Sequence, residues 1–178
     1  MRTIDLQMFA DTLTAVQGKK IMYMFRVLSK AGTADAVTLA FTTENERSKS
    51  KDSESTVTKD GTILIPGASE TEITATALLA KGDTMAETLE DAMDNDELVE
   101  CWEINLEEPA ATGSNKFKAR YYRGYISEFT LTSSAEEHAE YSITYGANGI
   151  GAKGEATVTA EQQEIANYVF ADTTKTGA

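Results

Sequence analysis

One cysteine, one histidine, one tryptophan and two prolines in 178 residues exclude several designs at once. With Cys101 alone, no intrachain disulfide and no cysteine-based metal cluster can form. His138 stands beside Glu136 and Glu137 in a turn-like stretch. No Gly-x-Ser-x-Gly elbow accompanies it, so a nucleophile–histidine relay has no parts. It reads as an exposed turn residue, and Cys101 as a packed neighbour of Val99. No apolar stretch approaches the ~20 residues of a membrane span. Arg2 and Asp5 interrupt the opening residues, which lack the apolar run of about 7–15 that a signal peptide needs. The chain is therefore expected to be soluble and made in a cytoplasm. Basic residues are also scarce: 16 against 29 acids, a formal charge of −13. Phosphate-backbone binding needs clustered Lys and Arg, so a nucleic-acid-gripping surface is excluded. Acidic walls past which DNA slides without sticking remain compatible.

Residues 81–108 hold eleven acids and one lysine. Asp94-Asn95-Asp96-Glu97 nonetheless lacks the spacing and turn glycine of a calcium loop, and a solvated acidic face accounts for it. Gly146, Gly149, Gly151 and Gly154 lack the lysine of a phosphate-binding loop and the strand–turn–helix setting. They read as a hinge. Lys116, Lys118 and Arg120 alternate with Phe117, Ala119 and Tyr121. That puts aromatics and cations on opposite faces, contrary to a single-strand nucleic-acid platform. No catalytic, cofactor or metal site is expected, and no internal repeat is present.

What the chain does have is period-2 patterning. Ile21, Tyr23, Phe25 and Val27 alternate, as do Val37, Leu39 and Phe41. The pattern predicts a local hairpin with Phe25 opposite Phe41 and Val27 opposite Leu39. Thr62–Pro66 and Thr71–Leu78 read as two strands around Gly67-Ala68-Ser69. A helix is predicted over Met85–Met93, with Thr84 and Glu87 as its capping box and Met85, Leu89 and Met93 as its apolar stripe. Glu97–Glu107 and Lys116–Thr132 predict a hairpin in which Glu107 faces Lys116, Glu103 faces Arg120, Glu100 faces Arg123, Trp102 faces Tyr121 and Leu106 faces Phe117. A one-residue slip would ruin both faces. Ser127–Thr132 and Glu140–Tyr145 pair next, with Phe129 opposite Ile143 and Leu131 opposite Tyr141. Gly124 marks a bulge or bend. Glu155–Thr159 reads as a last strand, followed by a short helix capped by Thr159 or an extended arm.

Between the second and third strands lie eighteen residues, Glu44 to Gly61, with Val57 as their one large aliphatic side chain. Structureless connections beyond about 12–15 residues are uncommon in compact domains unless they work or are disordered. This one predicts a long hairpin loop that orders against another copy or partner. By elimination the chain reads as a structural or interaction protein, β-rich and acidic, with loose ends.

Several pieces in order resemble one family over nearly the whole length. They are Gln17-Gly18-Lys19-Lys20-Ile21 leading to Phe25-Arg26, Thr58-Lys59-Asp60-Gly61, Glu70-Thr71-Glu72-Ile73 and Trp102-Glu103-Ile104-Asn105-Leu106. Tyr121 through Arg123-Gly124-Tyr125, Ala156-Thr157-Val158-Thr159 and Tyr168-Val169-Phe170-Ala171-Asp172-Thr173-Thr174 complete the set. Together they resemble the major tail proteins of long-tailed, non-contractile phages of the lactococcal-phage type, although the Gly146–Gly154 run departs from that pattern. The resemblance implies a β-sandwich-like tail-tube fold with one short helix, as a single domain over residues 1–178. Residues 1–18 and 160–178 would be arms and 44–61 a long hairpin loop. It implies a virion protein assembled in the host bacterial cytoplasm, with hexameric rings stacked around a tape-measure protein. Initiator or baseplate and terminator proteins would bound the tube, through which double-stranded DNA passes. Arg47, Lys49, Lys51, Lys59, Tyr168 and Phe170 are the expected contacts between subunits and rings. The alternative from another class is an acidic β-sandwich adhesion or carbohydrate-binding module, with Tyr121, Tyr122 and Tyr125 as its aromatic platform.

Overall fold

The computed structural model describes residues 14–167, and the structural statements below concern those residues. Seven strands form one bent antiparallel sheet in the order β1-β4-β5-β6-β3-β2, with β7 on β5. They are β1 (Ile21–Val27), β2 (Thr42–Thr58), β3 (Gly61–Leu78), β4 (Val99–Pro109), β5 (Lys116–Thr132), β6 (Glu140–Ala147) and β7 (Ala152–Thr157). Two helices are added, α1 (Thr84–Asp94) and α2 (Ala160–Asn167). Strand β5 is the hinge of the bend. Its first part pairs with β4 and β7, and its second part with β6.

The main core lies inside the bend. Tyr23, Phe25 and Val27 from β1 and Val99 and Cys101 from β4 meet Ile73, Ala75 and Ala77 from β3 and Tyr141, Ile143 and Tyr145 from β6. Phe25 and Tyr145 touch edge to face, with ring centroids 6.2 Å apart. Such a pair contributes about 0.5–1.5 kcal/mol beyond area burial. The Tyr145 hydroxyl donates to the Val99 carbonyl at 3.0 Å, which satisfies its polar tip inside the core. Helix α1 buries Met85, Ala86, Leu89 and Ala92 against this core. Met22 and Met24, on the other face of β1, join Ile104 and Val158 in a second cluster with Trp102 and Leu106 at its margin. Strand β1 is thus apolar on both faces because both are covered.

Several expected pairings are corrected. Residues 37–43 do not form a hairpin with β1. One isolated bridge joins Phe25 and Val37, and Phe41 turns away with φ 50°. Strand β4 lies along one edge of β1, with Tyr23 opposite Glu103 and Phe25 opposite Cys101, while Val37 bridges the other edge. The rest of the stretch leaves β1 for β3: the Phe41 carbonyl accepts from the Leu78 amide at 3.2 Å and Thr42 lies opposite Ala77. Thr62–Pro66 and Thr71–Leu78 are one strand, β3, and Glu44–Thr58 is a strand rather than a loop. Beta-branched and small polar residues suit a solvated ladder, which continues to Thr58 opposite Gly61 with one irregularity between Lys51 and Ser53. The cap of α1 is Asp83, not Thr84: its carboxylate accepts from the Met85 amide at 2.8 Å. A second helix, α2, does carry a reciprocal cap. The Thr159 hydroxyl accepts from the Gln162 amide at 3.3 Å, and the Gln162 side chain accepts from the Thr159 amide at 3.0 Å.

The β4–β5 register has Glu100 opposite Arg123, Trp102 opposite Tyr121, Glu103 opposite Arg120 and Ile104 opposite Ala119. Beyond Ile104 it shifts, and Pro109 lies opposite Phe117. Glu107 therefore does not face Lys116, nor Leu106 Phe117. The Asn105 side chain accepts from the Glu107 amide and donates to Glu108, both at 3.0 Å, which offers the backbone a local alternative to the ladder. Pro109 then has no N–H to donate. The β5–β6 register pairs Phe129 with Ile143 and Leu131 with Tyr141.

The Gly-rich run is a turn between β6 and β7, and β7 begins at Ala152, earlier than the expected strand start at Glu155. Gly151, at φ 73°, lies so close to the Tyr122 ring that a Cβ would fall 2.3 Å from it. At Gly124, where β5 has β4 on one side and β6 on the other, a Cβ would sit 2.0 Å from the Gly146 carbonyl oxygen. Gly124→Ala is expected to cost about 3 kcal/mol or more of unfolding free energy. Gly146→Ala, where a Cβ meets nothing within 4 Å, should change it by about 1 kcal/mol at most. Urea denaturation midpoints of the two variants check this.

Candidate functional site

The sheet β2-β3-β6-β5 has two chemically opposite faces. Cross-strand neighbours point to the same side, so the registers sort the residues directly. One row runs Arg47, Ile73, Tyr145, Ile126, and the next Asn45, Ala75, Ile143, Phe129; this is the core face. The alternate rows run Glu44, Thr76, Ser142, Thr130 and then Glu46, Thr74, Thr144, Glu128. Ser48, Glu72, Gly146 and Tyr125 follow, then Ser50 and Glu70 toward the arm. This outer face is exposed or half-buried and, in these rows, carries hydroxyls and carboxylates with no Lys or Arg. A cleft of about 540 Å³ lies on it, between Ser48, Ser50, Glu70, Glu72 and Tyr125.

Two edges of this same four-stranded unit have no strand beside them among the described residues. One is the far side of β2, and the other is the side of Tyr125–Thr132 away from β6. Unpaired edges are templates for another chain. From the β2 edge the hairpin extends outward past Lys51 to the Lys59-Asp60 turn, with Val57, Ile63, Leu64 and Ile65 exposed along it.

The base of that arm is pinned to the body. The Arg47 guanidinium pairs with the Glu103 carboxylate across the bend. The two side chains are 26% and 16% exposed, enough seclusion for the pair to count. The same Glu103 adds to burial in holding the Tyr23 phenol well above its ordinary pKa. Lys49 donates to the Ile150 carbonyl at 3.2 Å. Arg47 and Lys49, expected at subunit contacts, thus have partners within their own chain, whereas Lys51 and Lys59 lie on the exposed arm. Tyr168 and Phe170 fall outside the described residues.

A second charged cluster sits on the other side of the sheet. Glu100, 4% exposed, accepts from Arg26 Nε at 2.8 Å and from the Tyr121 hydroxyl. Arg26 lies 5.0 Å from the centre of the Trp102 ring, and Arg123 donates to the Tyr121 hydroxyl at 2.6 Å. Glu100 and Arg123 are opposite in register, but Tyr121 stands between their charges. These contacts also dismantle the expected aromatic platform. Tyr121 is bound into the ionic cluster, Tyr122 is buried, and Tyr125 lies on the hydroxyl–carboxylate face. His138 is exposed. Cys101 is fully buried, and desolvation pushes its thiol well above the ordinary value.

A sheet with one buried face, one smooth acidic face, open edges and a projecting arm belongs to a class of self-associating structural proteins. The chain matches the family described as phage tail tube protein over residues 15–152. It is 35% identical over 154 residues to a tail protein of Staphylococcus phage phiMR25, covering 84% of this chain and 80% of that one. In fold it is similar to the subunit of the SPP1 tail tube, with TM-score 0.70 and 22% identity over 92% of this chain and 95% of that chain. It is likewise similar to a chain of a native gene transfer agent virion, with TM-score 0.62 and 14% identity over 79% of this chain and 99% of that chain. The chain belongs to the phage tail tube protein family: it is a structural component of the virion tail and not an enzyme.

Arg47→Ala would strand a largely secluded Glu103 charge and is expected to cost about 1–2 kcal/mol. Replacing both residues by Met and Gln should cost less than the sum of the single changes, because the pair acts as a unit. A double-mutant cycle of denaturation midpoints measures the difference. A thiol reagent at pH 8 should find no reactive cysteine in the native protein and one per chain after unfolding.

Proposed function

We propose that six copies of this chain join β2 of one subunit to the Tyr125–Thr132 edge of the next. The β2-β3-β6-β5 sheets then become one closed inner barrel. Closure by rotation turns a head-to-tail contact into a ring and removes the exposed edges. The hydroxyl–carboxylate face becomes the wall of the bore. That face is the observation that carries the reading: rows of Ser, Thr and Glu without Lys or Arg repel a polyanion and offer it nothing to bind. Double-stranded DNA passes through at ejection, and a tape-measure protein fills the bore during assembly in the host cytoplasm. Initiator or baseplate and terminator proteins bound the stack.

Residues 1–178 act as one domain, and the arm beyond Lys51 links successive rings. Lys51 and Lys59 contribute there, while Arg47 and Lys49 set the arm's direction from its base. Tyr168 and Phe170 add contacts from the C-terminal segment. The similar fold of the SPP1 tail tube subunit supports assembly into a tube.

Removing Ser53–Pro66 would shorten the arm at its natural irregularity and leave Asp52-Gly67-Ala68 as a short closing turn. The variant is expected to stay folded by circular dichroism and to form no tubes in negative-stain images at concentrations where the parent chain does. Normal tubes from the variant would remove the arm from the assembly, and failure of the parent to form rings or tubes would overturn the reading itself.

A further inference from the structure

The exposed apolar side chains are not scattered. Seven of the eleven large ones among the described residues sit at the two opposite ends of one sheet. At the arm end are Val57 at 80% exposure, Leu64 at 67%, and Ile63 and Ile65. At the other end are Phe41 at 68%, Leu131 and Leu79. The registers place that second group together. Thr42 is opposite Ala77, Ala77 is opposite Tyr141, and Tyr141 is opposite Leu131. The Phe41 carbonyl accepts from the Leu78 amide at 3.2 Å.

Beside this apolar rim is a cleft of about 400 Å³ between Leu78, Thr132, Glu140 at the start of β6, and the turn that carries Glu136, Glu137 and His138. The rim is therefore apolar with an acidic border. The arm tip is apolar with Lys59 and Asp60 at its turn. The two surfaces match in apolar kind, and Lys59 offers a cation to the acidic border, yet they cannot meet within one chain. Strand β3, which runs between them, has 18 residues and spans about 60 Å at ~3.3 Å per residue.

We propose that the rim is the socket for the arm tip of a second copy in the adjoining ring. Val57, Ile63, Leu64 and Ile65 lie against Phe41, Leu79 and Leu131, and Lys59 reaches the glutamates bordering the cleft. The inference rests on the tube reading and adds to it an acceptor surface and a direction, since every contact joins the arm end of one subunit to the rim end of the next. Both ends of a growing tube are then chemically different: one presents empty sockets and the other unseated arms. An isolated subunit exposes both surfaces at once, and stacking covers them.

Cysteine placement tests it, because Cys101 is buried and the two ends of one chain are too far apart to be bridged. Asp60→Cys and Glu137→Cys are combined in one chain, polymerised, oxidised and run on a non-reducing gel. The expected result is a ladder of covalent multimers from tubes, only monomer from dilute subunits, and no ladder from Glu137→Cys alone. Tubes of the double variant that oxidise without a ladder would overturn the socket while leaving the tube intact. Charge reversal gives a second reading. Lys59→Glu should stop elongation, and adding Glu136→Lys and Glu137→Lys in the same chain should restore it. Unimpaired elongation by Lys59→Glu, or no restoration, would overturn the role of that pair. A parent chain that forms no tubes would overturn the tube reading, and the socket with it.

Discussion

The registered stack of β2, β3, β6 and β5 is the constraint from which the rest of the structure follows. Its pairing sets Ile73, Tyr145 and Ile126 on one side and Glu72, Thr144 and Glu128 on the other. A slip of one residue in any strand would bring carboxylates into the core and aliphatics to the outer wall. The alternation therefore specifies fold and surface chemistry together. Helix α1 and strands β1 and β4 cover the apolar side, which leaves the acidic side as the one broad smooth face of the unit. The same ladder, prolonged beyond the body, becomes the arm.

Within the body, charge is used where geometry makes it count. Arg47–Glu103 crosses the bend and ties the arm's base to β4, and Arg26–Glu100 ties β1 to β4 on the opposite side. Neither pair is fully open to water, unlike Lys118–Glu108 at the surface, where water and salt weaken the attraction. Lys118 holds the Glu108 carboxyl below the ordinary range, but at so exposed a site this carries little weight. The burial of Glu100 requires partners, and it has them in Arg26 and Tyr121.

Much of this was legible in the residues themselves. The alternation of Phe129 and Leu131 against Tyr141 and Ile143 identified the β5–β6 hairpin and its register, since only one pairing buries both sets. Trp102 with Tyr121 and Glu103 with Arg120 did the same for the first part of β4–β5. Illegible features were those decided by distant or local competition. The partner of β1 is 72 or more residues away, whereas the nearer stretch Val37–Phe41 has the same periodicity and no more than one bridge. The side-chain bonds of Asn105 broke a charge register that was worth too little to resist. The arm misled for a different reason: its first strand is polar except for Val57, and its other large apolar residues lie on the returning strand, Ile63–Ile65. The smooth acidic face was invisible until the registers brought Glu46, Glu72 and Glu128 from three separate segments onto one side.

The most direct measurement is a helical reconstruction, at side-chain resolution, of tubes grown from the purified chain. The account requires Glu46, Thr74, Thr144 and Glu128 to face the tube axis, with β2 of each subunit hydrogen-bonded to the Tyr125–Thr132 edge of its neighbour. A tube whose bore is lined by other residues, with this face on its outer surface or with the β2 edge unpaired, would contradict it.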